Sequence, residues 1–180
     1  MSDLPTPLAA ATPAAPSHEG FERVRDALQR LSHAHPPRWL EVAARTAQEA
    51  ADALGVSLGQ IAKSVVFRRR SDDRAVLVIA AGDRRVDEKK LQSHTGPLGR
   101  ADADFVKSRT GFSIGGVSPL GFAPAPGQPL PALYIDASLL RFDRIWAAAG
   151  HPNGVFPMTP QELQALTGAP VIEVVQEASA

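Results

Sequence analysis

The chain has 180 residues and a mass of 19.1 kDa, which is the usual size of one domain. Its formal charge is zero, and 44% apolar with 21% charged residues is typical of a folded protein rather than a disordered one. The absence of cysteine excludes disulfides, cysteine nucleophiles, thiolate zinc sites and iron–sulfur clusters. With no long apolar run and no secretory-signal pattern, we expect a soluble cytoplasmic protein without a membrane span.

The N-terminal segment differs in composition from the rest of the chain. Residues 1–17 (MSDLPTPLAAATPAAPS) contain four prolines and mostly Ala, Ser and Thr. Such a segment buries too little apolar surface to offset the entropy lost on ordering it. We therefore predict a disordered tail over 1–17, to which we assign no role, and a folded domain over 18–177.

The first half of the predicted domain alternates helices and strands. Apolar residues at helical spacing predict a first helix, and a capping box over 46–49 (TAQE) starts a second helix that ends at Gly55. A β-branched run and a buried apolar run predict two strands, joined as a hairpin by a turn at 71–73. The helical pattern is Phe21, Val24, Leu28 and Leu31; the predicted strands are 39–43, 62–69 and 75–81.

The second half continues the same alternation. Asp87 is predicted to cap a third helix, a fourth covers 102–109 and ends at Gly111, and a capping box over 159–162 starts a fifth that ends at Gly168. A stretch rich in Pro and Gly runs over 111–131. Further strands are predicted over 133–136, 144–148 and 171–175. Together these elements predict an α+β domain with a mixed β-sheet.

Charge is distributed unevenly along the chain. Residues 60–110 contain 12 Lys and Arg against 7 Asp and Glu, and the rest of the chain is acidic by the same margin. A basic half attracts polyanions such as nucleic acids. A solvated basic surface explains the same counts, so charge alone leaves both interpretations open.

Two sequence patterns, a G-x-S-x-G match and the spacing of the histidines, do not indicate a functional site. Residues 111–115 (GFSIG) match the G-x-S-x-G pattern of hydrolases, but that motif needs a strand before it and a helix after it, and the following GVSP does not readily start a helix. We therefore predict a chance match. The histidines have no metal-binding spacing, so we predict neither a metal site nor a cofactor. They are His18, His33, His35, His94 and His151.

Three features have the character of a functional site. The segment 110–121 (TGFSIGGVSPLG) can hold backbone N–H groups ready for an oxyanion or a phosphate, although composition alone favours a plain surface connection. The segment 150–154 (GHPNG) either lines the same cleft or is a simple hairpin turn with an exposed histidine. Lys63 interrupts an apolar strand, on one face with Val65 and Phe67. It is either a strand-edge charge or a cation that projects into a site.

The chain resembles the YbaK/ProX family in four segments that occur in the same order: 60–64 (QIAKS), 110–121, 133–136 (LYID) and 150–154. These proteins are free-standing relatives of the editing domain of bacterial prolyl-tRNA synthetase. The similarity covers about residues 21–175, and its distinctive feature is a lysine followed by GG-x-S-P-x-G. The resemblance implies a single domain with a mixed, curved β-sheet surrounded by helices. It also implies hydrolysis of mischarged aminoacyl-tRNA.

The resemblance also assigns residues. Lys63 matches the family lysine beside the tRNA 3′ end, and the loop 110–121 matches the loop beside bound aminoacyl-adenosine. The GHP at 150–152 departs from the GGK of the cysteine-removing branch, which disfavours Cys-tRNA and favours alanine-like or other small residues. The predicted catalytic residues are Lys63, Gly115, Gly116 and His151; the predicted substrate-binding residues are Phe112, Ile114, Val117, Ser118, Pro119, Gly121, Gly150 and Asn153.

These residues predict a hydrolytic mechanism without a protein nucleophile. Water attacks the ester carbonyl, backbone N–H groups around 115–116 or 150–151 stabilise the oxyanion, and Lys63 holds the terminal phosphate or ribose. The vicinal ribose hydroxyl helps to move the proton, and His151 is a second-ranked acid/base. The expected substrate is tRNA for proline carrying Ala, Ser, 2-aminobutyrate or Cys.

The sequence leaves several points open. The predicted partner is the 3′ CCA end of aminoacyl-tRNA, with delivery by an aminoacyl-tRNA synthetase undecided, and both a monomer and a homodimer are compatible. One alternative is a non-catalytic module that binds tRNA or a synthetase, which the retention of Lys63 and both glycine loops disfavours. Another is a regulatory module that binds a small ligand.

Overall fold

Five strands form the larger sheet in the computed structural model, which describes residues 17–177. In chain order the strands are β1 (Arg38–Trp39), β2 (Ala62–Arg69), β3 (Ala75–Ala81), β4 (Leu98–Arg100), β5 (Ala132–Asp136), β6 (Ile145–Ala148), β7 (Gly154–Met158) and β8 (Val171–Ile172). The larger sheet has the order β4-β2-β3-β5-β8. β2 runs antiparallel to β3 and β4, whereas β5 is parallel to β3 and β8, so the predicted mixed sheet is confirmed.

A smaller sheet of the order β1-β7-β6 stands beside the larger one. The two sheets meet at a single parallel bridge between Ile61 and Trp146. This bridge brings β6 to the beginning of β2, and the free edge of β2 continues beyond it. The place where the two sheets diverge is where a cavity forms.

The helices surround the sheets, and four of the five begin at the cap that the sequence predicts. They are α1 (Glu19–Arg30), α2 (Ala47–Leu54), α3 (Glu88–Thr95), α4 (Ala103–Thr110) and α5 (Pro160–Thr167). Both predicted capping boxes are present, at Thr46 and at Thr159, and Asp87 and Asp102 cap α3 and α4. Each cap satisfies N–H groups that have no partner inside the helix, which fixes where the helix starts.

β3 is buried along its whole length and separates two hydrophobic cores. The main core contains Leu77 and Ile79 of β3 together with Phe21 of α1. The second core contains Val76 and Val78 on the opposite face of β3. Burial on both faces explains why β3 is a continuous apolar run rather than an alternating pattern.

Several predicted elements need correction. The strand predicted over 39–43 is only Arg38–Trp39, because the chain then turns to the β6–β7 connection, where Leu40 N donates to Asn153 O at 2.7 Å. The strand predicted over 171–175 ends at Ile172, and Leu31 follows the end of α1 with half of its surface exposed. Two strands were not predicted from the sequence: β4, which has three residues, and β7, which contains Pro157. Proline is tolerated there because β1 pairs only with Gly154 and Val155.

Two further sequence predictions concern the N-terminal tail and the membrane span. The predicted tail, apart from Ser17, lies outside the described residues. Within residues 17–177, no helix is both long and apolar enough to cross a membrane.

Candidate active site

The free edge of β2 lines a cavity of the structure. β3 pairs with β2 over its length, but β4 pairs with it only from Phe67 onward. The first half of β2 therefore has an open edge, and a cavity of about 320 Å³ lies against it. Its other walls come from β6, β7, α4, the start of α2 and the glycine-rich loop; they include Ala44, Arg45, Thr46, Ala47, Ile114, Gly115, Val117, Trp146 and Ala147.

The cavity combines small apolar walls with two positive charges. Among the described residues that line it, the charged side chains are Lys63 and Arg45, and none is acidic. A net positive cavity with apolar walls favours a ligand that carries negative charge or develops it during a reaction.

Lys63 lies on the face of β2 that the alternation of side chains along the strand predicts. Its partner on β3 is Ala80, and Val65 and Phe67 on the same face pack against the second core. Burial is the largest cause that lowers the pKa of Lys63; the carboxylate of Asp83 opposes this effect, and the charge of Arg85 adds to it. The lowered pKa reflects a cation held partly out of water without a close partner.

Ser64 presents unpartnered polar atoms at the open edge. Gly82 N donates to Ile61 O at 2.7 Å and Arg69 N to Arg74 O at 2.9 Å, so the odd-numbered residues of β2 bond to β3. The backbone N–H and C=O of Ser64 consequently point away from β3, towards the cavity. Two buried polar side-chain atoms of the cavity walls also lack partners: Ser64 Oγ and Trp146 Nε1. Buried polar groups are normally hydrogen-bonded, so these two atoms behind the cavity wall are unusual.

The glycine-rich loop leaves α4 and passes between two cavities. α4 ends at Gly111, whose φ of +79° is favourable only for glycine, and no strand precedes the GFSIG segment, which confirms that it is not a hydrolase nucleophile turn. Of the predicted residues, Ile114, Gly115 and Val117 line the 320 Å³ cavity. Gly116 packs against the backbone of His151 on the other side of the loop.

Other predicted loop residues pack inside the protein. Phe112 is 1% exposed, under the guanidinium of Arg23 at 4.9 Å. Ser118 is fully buried, and its Oγ accepts a hydrogen bond from Leu120 N at 3.3 Å. Pro119 is buried, and Gly121 lies against Val24 of α1. None of these four lines the 320 Å³ cavity; they support the loop from behind.

Residues 150–153 form the turn of the β6–β7 hairpin. His151 stacks on Trp39 with ring centroids 4.6 Å apart and meets His18 edge-on at 4.2 Å. Its Nδ1 accepts the Asn153 N–H, so the neutral ring carries its proton on Nε2. Burial, followed by the charges of His18 and Arg45, lowers the pKa of His151. Asn153 holds the turn by donating from Nδ2 to Leu40 O at 2.8 Å.

The predicted site residues therefore divide between two neighbouring cavities. Lys63, Ile114, Gly115 and Val117 line the larger one. A second cavity of about 220 Å³ lies across the loop, and Pro152 borders both. The second cavity is lined by Phe112, Gly116, Gly150 and His151 among the predicted residues, and Ser118, Pro119, Gly121 and Asn153 line neither.

Three cavity residues were not predicted from the sequence. Arg45 stands immediately before the capping box of α2, Trp146 lies in β6, and Ser64 was part of a quoted segment without a role. No local pattern distinguishes these residues, because their place in the cavity depends on how distant segments pack. Within the part of the chain that the structure describes, no group of three or more His, Asp or Glu side chains forms a metal site.

Comparison with known proteins gives a consistent result. Residues 41–166 match the family model of the aminoacyl-tRNA editing domain. The uncharacterized protein YwhH of Bacillus subtilis (strain 168) is 40% identical over 124 residues, which are 68% of this chain and 75% of YwhH. The proline–tRNA ligase of Pelotomaculum thermopropionicum is 40% identical over 79 residues, which are 43% of this chain but only 14% of the ligase.

Solved structures agree with the sequence comparison. A crystal structure proposed to be that of a trans-editing enzyme for prolyl tRNA synthetase superposes with a TM-score of 0.79 at 39% identity. The superposition covers 89% of this chain and 99% of that one. The predicted resemblance to the YbaK/ProX group is confirmed, and a deacylase role is supported. The family match covers most of the chain, so this protein belongs to the aminoacyl-tRNA editing domain family.

Proposed function

We propose that this protein hydrolyses mischarged aminoacyl-tRNA in trans, at the ester bond of the 3′ adenosine. The proposed substrate is tRNA for proline that carries a small non-cognate amino acid: Ala, Ser or 2-aminobutyrate, with Cys disfavoured. The observation that carries the proposal is the cavity between the open edge of β2 and the glycine-rich loop. It contains Lys63 and Gly115, and no acidic side chain lines it among the described residues.

The cavity walls suit an apolar amino-acid side chain. Ala62, Ala147 and Val117 contribute short apolar side chains, and Val106 adds another. One missing methylene of the substrate changes binding by only about 1–3 kcal/mol. We therefore expect the selectivity among small side chains to be graded.

The chemistry follows from positioning and charge. A water molecule adds to the ester carbonyl carbon, the bond from that carbon to the 3′ oxygen breaks, and the 3′ oxygen takes a proton. The products are the free amino acid and tRNA with its 3′ hydroxyl restored. In the proposal, the N–H group of Gly115 stabilises the oxyanion, which is worth about 10²–10³ in rate per donor in other enzymes. The N–H group of Gly116, predicted for the same role, already donates to Ser113 O at 3.0 Å. Lys63 holds the reacting end of the substrate, and the vicinal ribose hydroxyl relays the proton.

His151 is less favourably placed for this role. It lines the second cavity, across the loop from Lys63, and its ring is held between Trp39 and His18. We therefore propose that His151 supports the loop and the tRNA end. As a proton carrier it ranks second to the ribose hydroxyl.

The test is deacylation of tRNA for proline charged in turn with Ala, Ser, Cys, 2-aminobutyrate and Pro. Wild type is compared with Lys63→Ala, and with Lys89→Ala as a matched control, because Lys89 is an exposed lysine on α3 away from the cavity. We expect wild type and the control to hydrolyse a small non-cognate ester and to spare Pro-tRNA. Lys63→Ala is expected to lose activity by about 10²-fold or more.

Two results would contradict the proposal. Failure of folded wild type to hydrolyse any of these esters favours the non-catalytic module that binds tRNA or a synthetase. Hydrolysis that is unchanged in Lys63→Ala would move the reaction away from this cavity. Because charged tRNA is a cytoplasmic species, the proposal also implies activity in the cytoplasm.

A further inference from the structure

Arg45 is the second cation of the cavity, and its backbone is fixed by the start of α2. Arg45 N donates to Glu49 Oε2 at 2.8 Å, beside the capping box of Thr46. On the other side, a β-carbon built on Gly115 lies 3.6 Å from Arg45 Cα and 3.7 Å from its Cβ and Cγ. The arginine is therefore held against the glycine-rich loop at the rim of the cavity.

The guanidinium of Arg45 is not paired with a carboxylate in the described residues, although its charge is one of the smaller causes that lower the pKa of Glu49. Within residues 17–177, its side chain makes no ion pair or hydrogen bond, whereas Arg69 and Arg141 are paired with carboxylates at 2.6 Å. Arg45 is exposed, and Lys63 deeper in the same cavity is half-buried. The cavity thus contains two unpaired cations, Lys63 in its interior and Arg45 at its rim. This arrangement suits a ligand whose reacting group enters the cavity and whose anionic group stays near the surface.

The start of α2 is partly satisfied by its own side chains. Glu49 N donates to Thr46 Oγ1, and the Glu49 carboxylate accepts from Arg45 N and Thr46 N. The guanidinium of Arg45 is the charged donor group at this point of the rim. Ala44 N donates to Pro152 O at 2.8 Å, which ties this segment to the β6–β7 turn and to the border of the second cavity.

We propose that Arg45 binds the phosphate on the 5′ side of the terminal adenosine, while Lys63 acts at the ester end. The proposal rests on the proposed function and assigns the phosphate to Arg45 rather than to Lys63. A guanidinium forms paired hydrogen bonds with phosphate oxygens, and a hydrogen bond to a charged group is strong enough to change affinity about 10- to 100-fold. Arg45 is a positioning residue in this scheme, not a catalytic one.

The experiment measures binding without chemistry. The probes are two stable analogues of the tRNA end, 3′-alanylamido-adenosine with and without a 5′-phosphate, titrated by calorimetry. Wild type is expected to bind the phosphorylated analogue about 10- to 100-fold more tightly. Arg45→Ala is expected to bind both analogues equally, and Arg45→Lys to retain part of the preference because it keeps the charge.

Three controls distinguish a loss of phosphate binding at Arg45 from a general loss of positive charge, from a loss at Lys63 and from unfolding. Arg30→Ala removes an exposed arginine at the end of α1, outside the cavity, and is expected to behave like wild type. Lys63→Ala is expected to weaken binding of both analogues by the same factor. Equal thermal midpoints of wild type and Arg45→Ala would show that the loss does not come from unfolding.

A second readout uses charged tRNA. Arg45→Ala is expected to raise KM about 10- to 100-fold with little change in kcat, and to lower the salt dependence of log KM by about 0.7, the loss of one phosphate contact on a single strand. Arg45→Ala that weakens both analogues equally would overturn the assignment, as would wild type that ignores the phosphate. If wild type binds the phosphate through Arg45 but deacylates no tRNA, the proposed function fails and the phosphate site stands.

Discussion

Gly116 lies directly against His151: a β-carbon on Gly116 would be 2.8 Å from His151 Cα and 2.9 Å from its backbone N. This distance is too short for any side chain, and the atoms it meets are backbone rather than the end of a flexible side chain. The glycine-rich loop and the β6–β7 turn are therefore in contact only because residue 116 is glycine. Their contact forms the wall between the two cavities.

Gly116→Ala is expected to push the two loops apart. Overpacking against backbone costs about 1–3 kcal/mol in the free energy of unfolding, and a displacement of about 1 Å at a reacting centre costs about 10²-fold in rate. Urea denaturation and deacylation rates measure the two effects. Gly99→Ala is the matched control, because its added carbon meets only the side chain of Arg70 at 3.5 Å. Equal stability and activity of both variants would contradict the contact.

Lys63→Met is expected to stabilise the protein at neutral pH while it removes the proposed activity. Burial lowers the pKa of Lys63 in the folded state, so the unfolded chain binds this proton more tightly. The free energy of unfolding then rises with pH between the lowered pKa and the ordinary value of about 10.4. Below that window the cost of the buried charge is present in full, and methionine removes it.

Urea denaturation at two pH values tests the sign of this effect. The advantage of Lys63→Met over wild type is expected at about pH 7 and is expected to shrink as pH rises towards about 10. Exposed Lys89→Met serves as the control for the loss of a surface charge. A Lys63→Met protein that is less stable than wild type at neutral pH would mean that the ammonium has a favourable partner.

His151 is expected to titrate below the ordinary histidine value of about 6.5. Burial is the largest cause that lowers its pKa, followed by the charges of His18 and Arg45. As pH falls from about 6.5 towards the lowered pKa, the unfolded chain binds more protons, so the free energy of unfolding decreases.

Titration of the ring protons by NMR measures this pKa directly. His18→Gln and Arg45→Ala are each expected to raise the pKa of His151, because each removes a positive charge that opposes its protonation. A pKa at or above 6.5 in wild type, or one that both variants leave unchanged, would contradict the environment described for the ring.

Two serine-to-alanine substitutions are expected to differ in how much they change the free energy of unfolding. Ser64 Oγ is buried without a partner, so Ser64→Ala changes the free energy of unfolding by less than about 1 kcal/mol. Ser118 Oγ accepts from Leu120 N in a fully buried site, so Ser118→Ala leaves that N–H unpaired and costs about 1–3 kcal/mol. Urea denaturation of both variants decides the matter. A large loss in Ser64→Ala would show that its hydroxyl has a protein partner.

The local elements of this fold were predictable because short-range chemistry sets them. The strands Ala62–Arg69 and Ala75–Ala81 have the bounds that the sequence predicts, and the boxes at Thr46 and Thr159 start their helices. β4 was not predictable, because three residues carry no pattern. Its pairing with β2 is a long-range event.

The sequence by itself determined the family, the hairpin that carries Lys63, and the alternation that puts Lys63 and Ser64 on opposite faces of β2. Only the tertiary structure decided which glycine-loop residues line a cavity and which pack inside, and that Arg45 stands at the rim. The physical reason is the edge of β2. Alternation along a strand is local, but whether its edge is open depends on where β4 stops pairing, at Phe67, and on where β6 meets β2, at Ile61.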